Sequence, residues 1–219
     1  MLPLPLISRR FVVFAMGLAL MVGMWPGVTT RPARAAATAV FINEFHYDNV
    51  STDTQEFIEV AGPAGTDLSD YDLVLYNGNG GAPYGSTIAL SGILDDQQGG
   101  MGTAPFDAVG LQNGSPDGIA LVFNGSVIQF LSYEGSFTAV GGPANGMVST
   151  DIGVFEPDNT PANQSLQLKG TGTFYEDFTW SAPSAFSPGA PNDGQTFAPV
   201  ENQPVTATCG PTLSLLQGT

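Results

Sequence analysis

A short stretch near the start of the chain is rich in acidic side chains, which are Glu44, Asp48, Asp53, Glu56 and Glu59. A hard cation such as calcium takes about six to eight oxygen ligands, and carboxylates are among the usual ones. If the two apolar segments around these residues pair as antiparallel strands, Glu44 and Glu59 approach each other. Like charges facing across a strand pair are destabilising, and a cation would relieve that cost. Glu44, Asp48, Glu56 and Glu59 are therefore candidate calcium ligands, with acids that simply face solvent as the alternative.

The residue types that acid–base or nucleophilic catalysis needs are scarce in this chain. His46 is the single histidine and lies between Phe45 and Tyr47 in an apolar segment, with no G-x-S-x-G motif in the chain to supply an activated serine. The single cysteine, Cys209, lies in the C-terminal tail, and one histidine with one distant cysteine is not a zinc pattern. We interpret His46 as a packed or surface imidazole and expect no enzymatic activity.

The charge of the chain excludes one class of partner. Four of the five basic residues lie before residue 36, so beyond that point Lys169 stands alone against 20 acidic residues, a net charge of −19. Proteins bind nucleic acids through clusters of Lys and Arg that neutralise phosphates. We therefore expect no direct nucleic-acid binding and favour a protein or cell-surface ligand.

The first 35 residues have the layout of a secretory signal peptide. Arg9 and Arg10 precede an apolar run from Phe11 to Trp25, and Ala33-Arg34-Ala35 has the small-x-small form of a cleavage site. The apolar run is shorter than the ~20 residues of a typical membrane span. These features predict an exported protein of 184 residues that is free of the membrane once the signal is cleaved. The mature protein would be secreted or held at the cell surface. Both the general and the twin-arginine export route fit this signal.

Beyond the signal, β-branched and aromatic runs are bounded by turn residues, and helical periodicity is absent. Eight short strands are predicted, at Ala39–Tyr47, Glu56–Val60, Leu73–Tyr76, Ser86–Leu90, Gly118–Phe123, Ser126–Tyr133, Ser165–Leu168 and Phe178–Trp180. Asn124-Gly125 between the fifth and sixth indicates a hairpin with a type I′ turn. Two long loops are expected, at Asp95–Asp107, taken to be mobile, and at Gly135–Pro161. Many short strands with turns between them are typical of an all-β sandwich or barrel.

Several motifs in a fixed order resemble bacterial lamin-tail domains. They are FINEFHYDN from Phe41, EFIEV from Glu56, DLSDYDLVLY from Asp67, LQNG from Leu111 with PDGIAL from Pro116, and SPGAPN from Ser187. The resemblance runs from about Ala39 to Phe197 and implies an immunoglobulin-like β-sandwich. It predicts a domain at residues 36–197 and, at residues 198–219, a linker and the truncated start of a following domain.

The same resemblance implies a non-catalytic binding or tethering module of an exported protein. Lamin-tail domains in bacteria often precede a secreted nuclease of the endonuclease/exonuclease/phosphatase type. The alternative expectation is therefore the truncated N-terminal part of such a nuclease, inactive by itself, and a third is a purely structural spacer that binds no ligand.

Overall fold

A computed structural model describes residues 40–199 of the chain, so the predicted signal peptide and the tail with Cys209 lie outside the described residues. The described part contains one 3₁₀ turn, Tyr175–Asp177, and eleven strands: β1 Phe41–His46, β2 Phe57–Pro63, β3 Tyr71–Asn77, β4 Pro83–Ala89, β5 Met101–Asp107, β6 Asp117–Phe123, β7 Ser126–Tyr133, β8 Thr150–Asp151, β9 Gln164–Gly172, β10 Phe178–Ala185 and β11 Gln195–Phe197. Nothing helical in residues 40–199 has the length and hydropathy of a membrane span.

The strands form two sheets. The first has the order β10-β9-β1-β2-β5, with β11 also paired to β9, and the second has the order β4-β3-β6-β7-β8. All pairs are antiparallel except β11 with β9 and β7 with β8. The predicted all-β sandwich is confirmed.

The main hydrophobic core is built from side chains that alternate along the strands of both sheets, because successive residues of a strand point to opposite faces. Ile58 and Val60 of β2 belong to it together with Leu73 of β3 and Leu121 of β6. A smaller cluster, which includes Tyr76 and Phe130, is closed by Ala139 and Ala144 from the loop after β7. The Tyr76 hydroxyl fixes this loop by donating to the carbonyl of Gly141 and accepting from the amide of Ala144.

The hairpin prediction is confirmed. β6 and β7 pair antiparallel, and Asn124 and Gly125 between them have φ of 47° and 76°. Positive φ at both central residues is what a type I′ turn requires, and Asn-Gly tolerates it best.

The prediction of a long mobile loop at Asp95–Asp107 is wrong, because β5 occupies Met101–Asp107 and pairs with β2 along its whole length. Its segment contains Gly102 and Pro105, which depress strand propensity. The pairing is nevertheless required, since β2 is buried and its edge amides and carbonyls need partners. Gly102 allows this close packing, because a Cβ there would lie 1.9 Å from the carbonyl oxygen of Asp95.

Strict alternation of side chains does not hold along β1. The pairing with β2 shifts between Ile42 and Glu44, which is a β-bulge that adds one residue, Asn43, to β1. The bulge leaves Ile42 and Phe45 in the core while Asn43 joins the polar residues on the other face.

Candidate functional site

Two acidic residues face each other on the outer side of the first sheet. In the antiparallel pairing of β1 with β2, Glu44 is the direct partner of Glu59, as the sequence predicted. Both residues are fully buried. Burial of two carboxyl groups side by side is costly unless other groups satisfy their oxygens.

The cover over this pair is the segment Phe186–Phe197, here called the strap, which contains the SPGAPN motif. Ser187 donates its backbone amide to Glu44 Oε1 at 2.9 Å and its hydroxyl to Oε2 at 3.1 Å. Gly189 donates its amide to Glu59 Oε2 at 2.6 Å. Gly189 has φ of 84°, a conformation that glycine adopts without steric cost. The strap therefore reaches the acids through its backbone.

Strand β9 supplies the remaining donors to Glu44. The Ser165 hydroxyl donates to Glu44 Oε1 at 2.5 Å and Gln167 Nε2 donates to the same oxygen at 3.1 Å. With the two bonds from Ser187, Glu44 accepts four hydrogen bonds, three at Oε1 and one at Oε2.

Glu59 is less well satisfied than Glu44. Its carboxyl accepts from Asn43 Nδ2 at 2.9 Å and from the Gly189 amide. Burial, and then the charge of Glu44, raise the pKa of Glu59 to about 8, although these donors act in the opposite direction. Glu59 therefore keeps its proton to a higher pH than an exposed glutamate does.

Asn192 lies at the point where β1 and β9 separate, here called the fork. Its Nδ2 donates to the carbonyl of Asn43 at 3.2 Å and to the carbonyl of Leu168 at 3.0 Å. Beyond this point β11 pairs with β9 in place of β1. Gln195 of β11 adds a bond from its Nε2 to Asn43 Oδ1 at 2.6 Å. Asn192 thus replaces the missing strand-to-strand hydrogen bonds at the fork.

His46 lies at the end of β1 in a second buried polar group. Its Nδ1 is 2.9 Å from Glu156 Oε1 and its Nε2 is 3.3 Å from Asn49 Oδ1. Asn49 Nδ2 donates elsewhere, so both ring nitrogens face acceptors and the imidazole is best satisfied as a cation. Burial lowers the pKa of His46, but the hydrogen bond and charge of Glu156 outweigh that effect and raise it.

Glu156 ties the loop after β8 to β1. Its Oε2 accepts the backbone amides of Tyr47 and Asp48, at 2.7 and 2.9 Å, while its own amide donates to the Tyr47 hydroxyl. His46 and Glu156 are 110 residues apart in sequence. The imidazole is 1% exposed, so its position fits a structural ion pair.

The other two candidate ligands lie elsewhere. Asp48 lines an open cleft of about 370 Å³ together with Asp53, Asp158 and Asn113, and its pKa is raised by burial first and by Asp53 among its neighbours. Glu56 accepts the amide of Gly110 at 2.8 Å and so holds the turn after β5.

The structure therefore brings Glu44 and Glu59 together and separates them from Asp48 and Glu56. Within residues 40–199, no three His, Cys, Asp or Glu side chains are grouped so that they could hold a metal ion. Every carboxyl oxygen of Glu44 and Glu59 accepts a hydrogen bond from an N–H or O–H group of the protein.

The sequence did not indicate the partners of Glu44 and Glu59, which are Asn43, Ser165, Gln167, Ser187 and Gly189. Nor did it indicate Asn192 and Gln195, which bond to Asn43, or Asn49 and Glu156, which bond to His46. Of these, Ser187, Gly189 and Asn192 belong to the SPGAPN motif. The combination of Pro, Gly and Asn after the last predicted strand was the signal that this segment has a fixed conformation.

No protein-family model matches this chain, and no curated protein or solved structure is significantly similar to it. The resemblance to lamin-tail domains rests on the sequence motifs alone.

Proposed function

We propose that the protein is an exported, non-catalytic binding or tethering module of the lamin-tail type, with an immunoglobulin-like sandwich. The observation that carries this proposal is the position of His46. The single histidine of the chain is buried, and both of its ring nitrogens are bound to residues that fix neighbouring loops.

General acid–base catalysis requires a group within reach of substrate, poised to give or take a proton. His46 contacts Glu156 and Asn49 in the interior. Glu44 and Glu59 are covered by the strap. His46 is the one histidine of the chain, Glu44 and Glu59 are the candidate calcium ligands that the fold brings together, and all three are buried. The surface of the domain is then the part available for function.

That surface is acidic. Lys169 is the one Lys or Arg among the described residues, and it is half-buried on β9. A surface of one sign attracts ligands of the opposite sign and repels nucleic acid at long range. This favours a basic protein or a basic cell-surface component as the ligand.

Two motifs of the lamin-tail resemblance come together in this fold. FINEFHYDN provides β1 and SPGAPN provides the start of the strap, and the two are joined by the bonds from Ser187 to Glu44 and from Asn192 to Asn43. Motifs that bond to each other across more than 140 residues of sequence are expected to occur together. Their joint occurrence supports assignment to one domain type.

The enzyme alternative is tested by incubating the secreted protein with double-stranded DNA and added magnesium or calcium. We expect no hydrolysis above that of a His46→Ala preparation. Turnover by the wild type that His46→Ala or Glu44→Gln abolishes, in variants that retain the wild-type circular dichroism spectrum, would overturn the proposal.

The binding function is tested with fluorescently labelled protein and the cell-envelope fraction of the producing organism. We expect saturable binding that unlabelled protein competes and that added salt weakens, since salt screens exposed charges. Absence of saturable binding would contradict a binding module and leave the structural spacer.

A further inference from the structure

We propose that Glu44 and Glu59 form a pH-dependent latch, which holds the first part of the strap, residues 186–191, closed while one of the two carboxyl groups carries a proton and releases it when both are ionised. The rest of the strap stays in place, because Asn192 and β11 keep their own bonds to β1 and β9.

The first support is the geometry of the pair. Glu44 and Glu59 are cross-strand partners and neither is exposed. Cβ atoms of such partners are about 4.5–5.5 Å apart, close enough for strong repulsion between two charges out of water. Opening this part of the strap would hydrate both groups and remove this cost.

The second support is the absence of a counter-charge among the groups described around the pair. β5 contributes Thr103, β9 contributes Ser165 and Gln167, and the strap contributes Ser187, Gly189 and Asn192, all of them neutral.

The charged residues at the other end of the strap do not fill this role. Lys169 of β9 lies beside Gly194, and Asp193 is exposed. In the described part of the chain, neither of them has an ion pair or hydrogen bond with Glu44 or Glu59.

The third support is that the first part of the strap depends on the pair. The Ser187 and Gly189 amides are bound to the two carboxyl groups. From Asn192 onward the strap has its own bonds to β1 and β9. By contrast, the β6–β7 hairpin lies in the second sheet and makes its strand pairing there. Loss of the closed pair is therefore expected to release the first part of the strap before the hairpin.

The direction of the pH effect follows from linkage. Burial and Glu44 raise the pKa of Glu59 to about 8 in the closed state, and hydration in the open state returns it toward the ordinary value of a glutamate, about 4.3. The closed state binds the proton more tightly, so rising pH favours the open state. Between the two pKa values the open fraction is expected to increase about tenfold for each pH unit, and it levels off above pH 8, where the closed state is ionised as well.

Hydrogen exchange with mass spectrometry on the full-length secreted protein, between pH 6 and 9.5, tests the proposal. The rates of the peptide that covers residues 186–191 in wild type and in Glu59→Gln are compared at each pH, so that the base catalysis of exchange itself cancels. We expect protection of residues 186–191 in the wild type to fall by up to about tenfold per unit between pH 6 and pH 8 relative to the variant and to level off above pH 8, with the β6–β7 hairpin unchanged in both.

Glu44→Gln is the second neutralising variant, and it also prevents the doubly ionised pair. If Glu59→Gln does not fold, Glu44→Gln takes its place in the comparison. Asp107→Asn is the matched control, since Asp107 is an exposed acid at the end of neighbouring β5, and it should retain the wild-type pH profile.

Three results would overturn the latch. Protection of residues 186–191 that does not depend on pH, beyond the chemistry of exchange, contradicts the release. An equal pH dependence in wild type and both neutralising variants assigns the effect to another group. Simultaneous loss of protection in residues 186–191 and the β6–β7 hairpin shows global unfolding instead of local opening.

Discussion

Replacing Asn192 with alanine tests the fork between β1 and β9. Asn192 is 2% exposed and its Nδ2 donates to the carbonyls of Asn43 and Leu168, both in fully buried residues. Its Oδ1 lies 3.1 Å from the Ser187 hydroxyl, whose single proton also faces Glu44 Oε2. Alanine removes the two bonds to the carbonyls and leaves the backbone groups in place.

The size of the effect can be worked from these bonds. A buried polar group that loses its partner costs about 1–3 kcal/mol, and a water entering the vacated space would recover part of that cost. For the two carbonyls together we expect a loss of about 2–4 kcal/mol. In a domain of this size about 1 kcal/mol corresponds to 2–4 °C, so Tm should fall by about 5–15 °C.

The assay is thermal unfolding followed by circular dichroism at neutral pH. Asn79→Ala is the matched control, because Asn79 is exposed and no hydrogen bond is recorded for its side chain. Asn192→Asp should be worse than Asn192→Ala, since it turns an oxygen toward the two carbonyls and adds a negative charge near Glu44. Equal Tm for Asn192→Ala and Asn79→Ala would refute the role of the fork.

Three other predictions concern charge. Burial is the main cause that raises the pKa of Glu59 to about 8 and the pKa of Asp117 to about 6. A group whose pKa is raised in the folded state contributes most to stability below its unfolded-state pKa. That contribution to the free energy of unfolding is lost as pH rises through the folded-state pKa. Calorimetry should therefore show Tm increasing from pH 8 to pH 5, and a maximum at pH 8 or above would contradict this. His46→Ala leaves Glu156 buried without its cation, which is expected to lower the free energy of unfolding by about 3–5 kcal/mol. Chemical denaturation measures this loss. A change below about 1 kcal/mol would show that the pair is not structural. Calcium should not raise Tm through Glu44 and Glu59, because protein donors already occupy their oxygens. Differential scanning fluorimetry with added calcium measures this. A rise in Tm that Glu44→Gln abolishes would contradict the prediction.

The two sheets show where local sequence is informative. The β6–β7 hairpin was predictable because the turn requires positive φ at two adjacent residues and Asn-Gly supplies it. The facing of Glu44 and Glu59 was predictable from two short apolar segments that are near in sequence. β5 was not predicted, because the composition of Met101–Asp107 gives no strand signal. The segment is a strand because the backbone amides and carbonyls of β2 need hydrogen-bond partners.

The sequence by itself determined an all-β chain with an acidic surface, one histidine and an antiparallel pair of strands that each carry a glutamate. The tertiary structure alone decided that the glutamates are buried, that the strap covers them and that His46 meets Glu156. The physical reason is that strand periodicity specifies which face a side chain takes, whereas the partner on that face comes from a distant segment. Ser187 lies 143 residues from Glu44, and no local pattern encodes that contact.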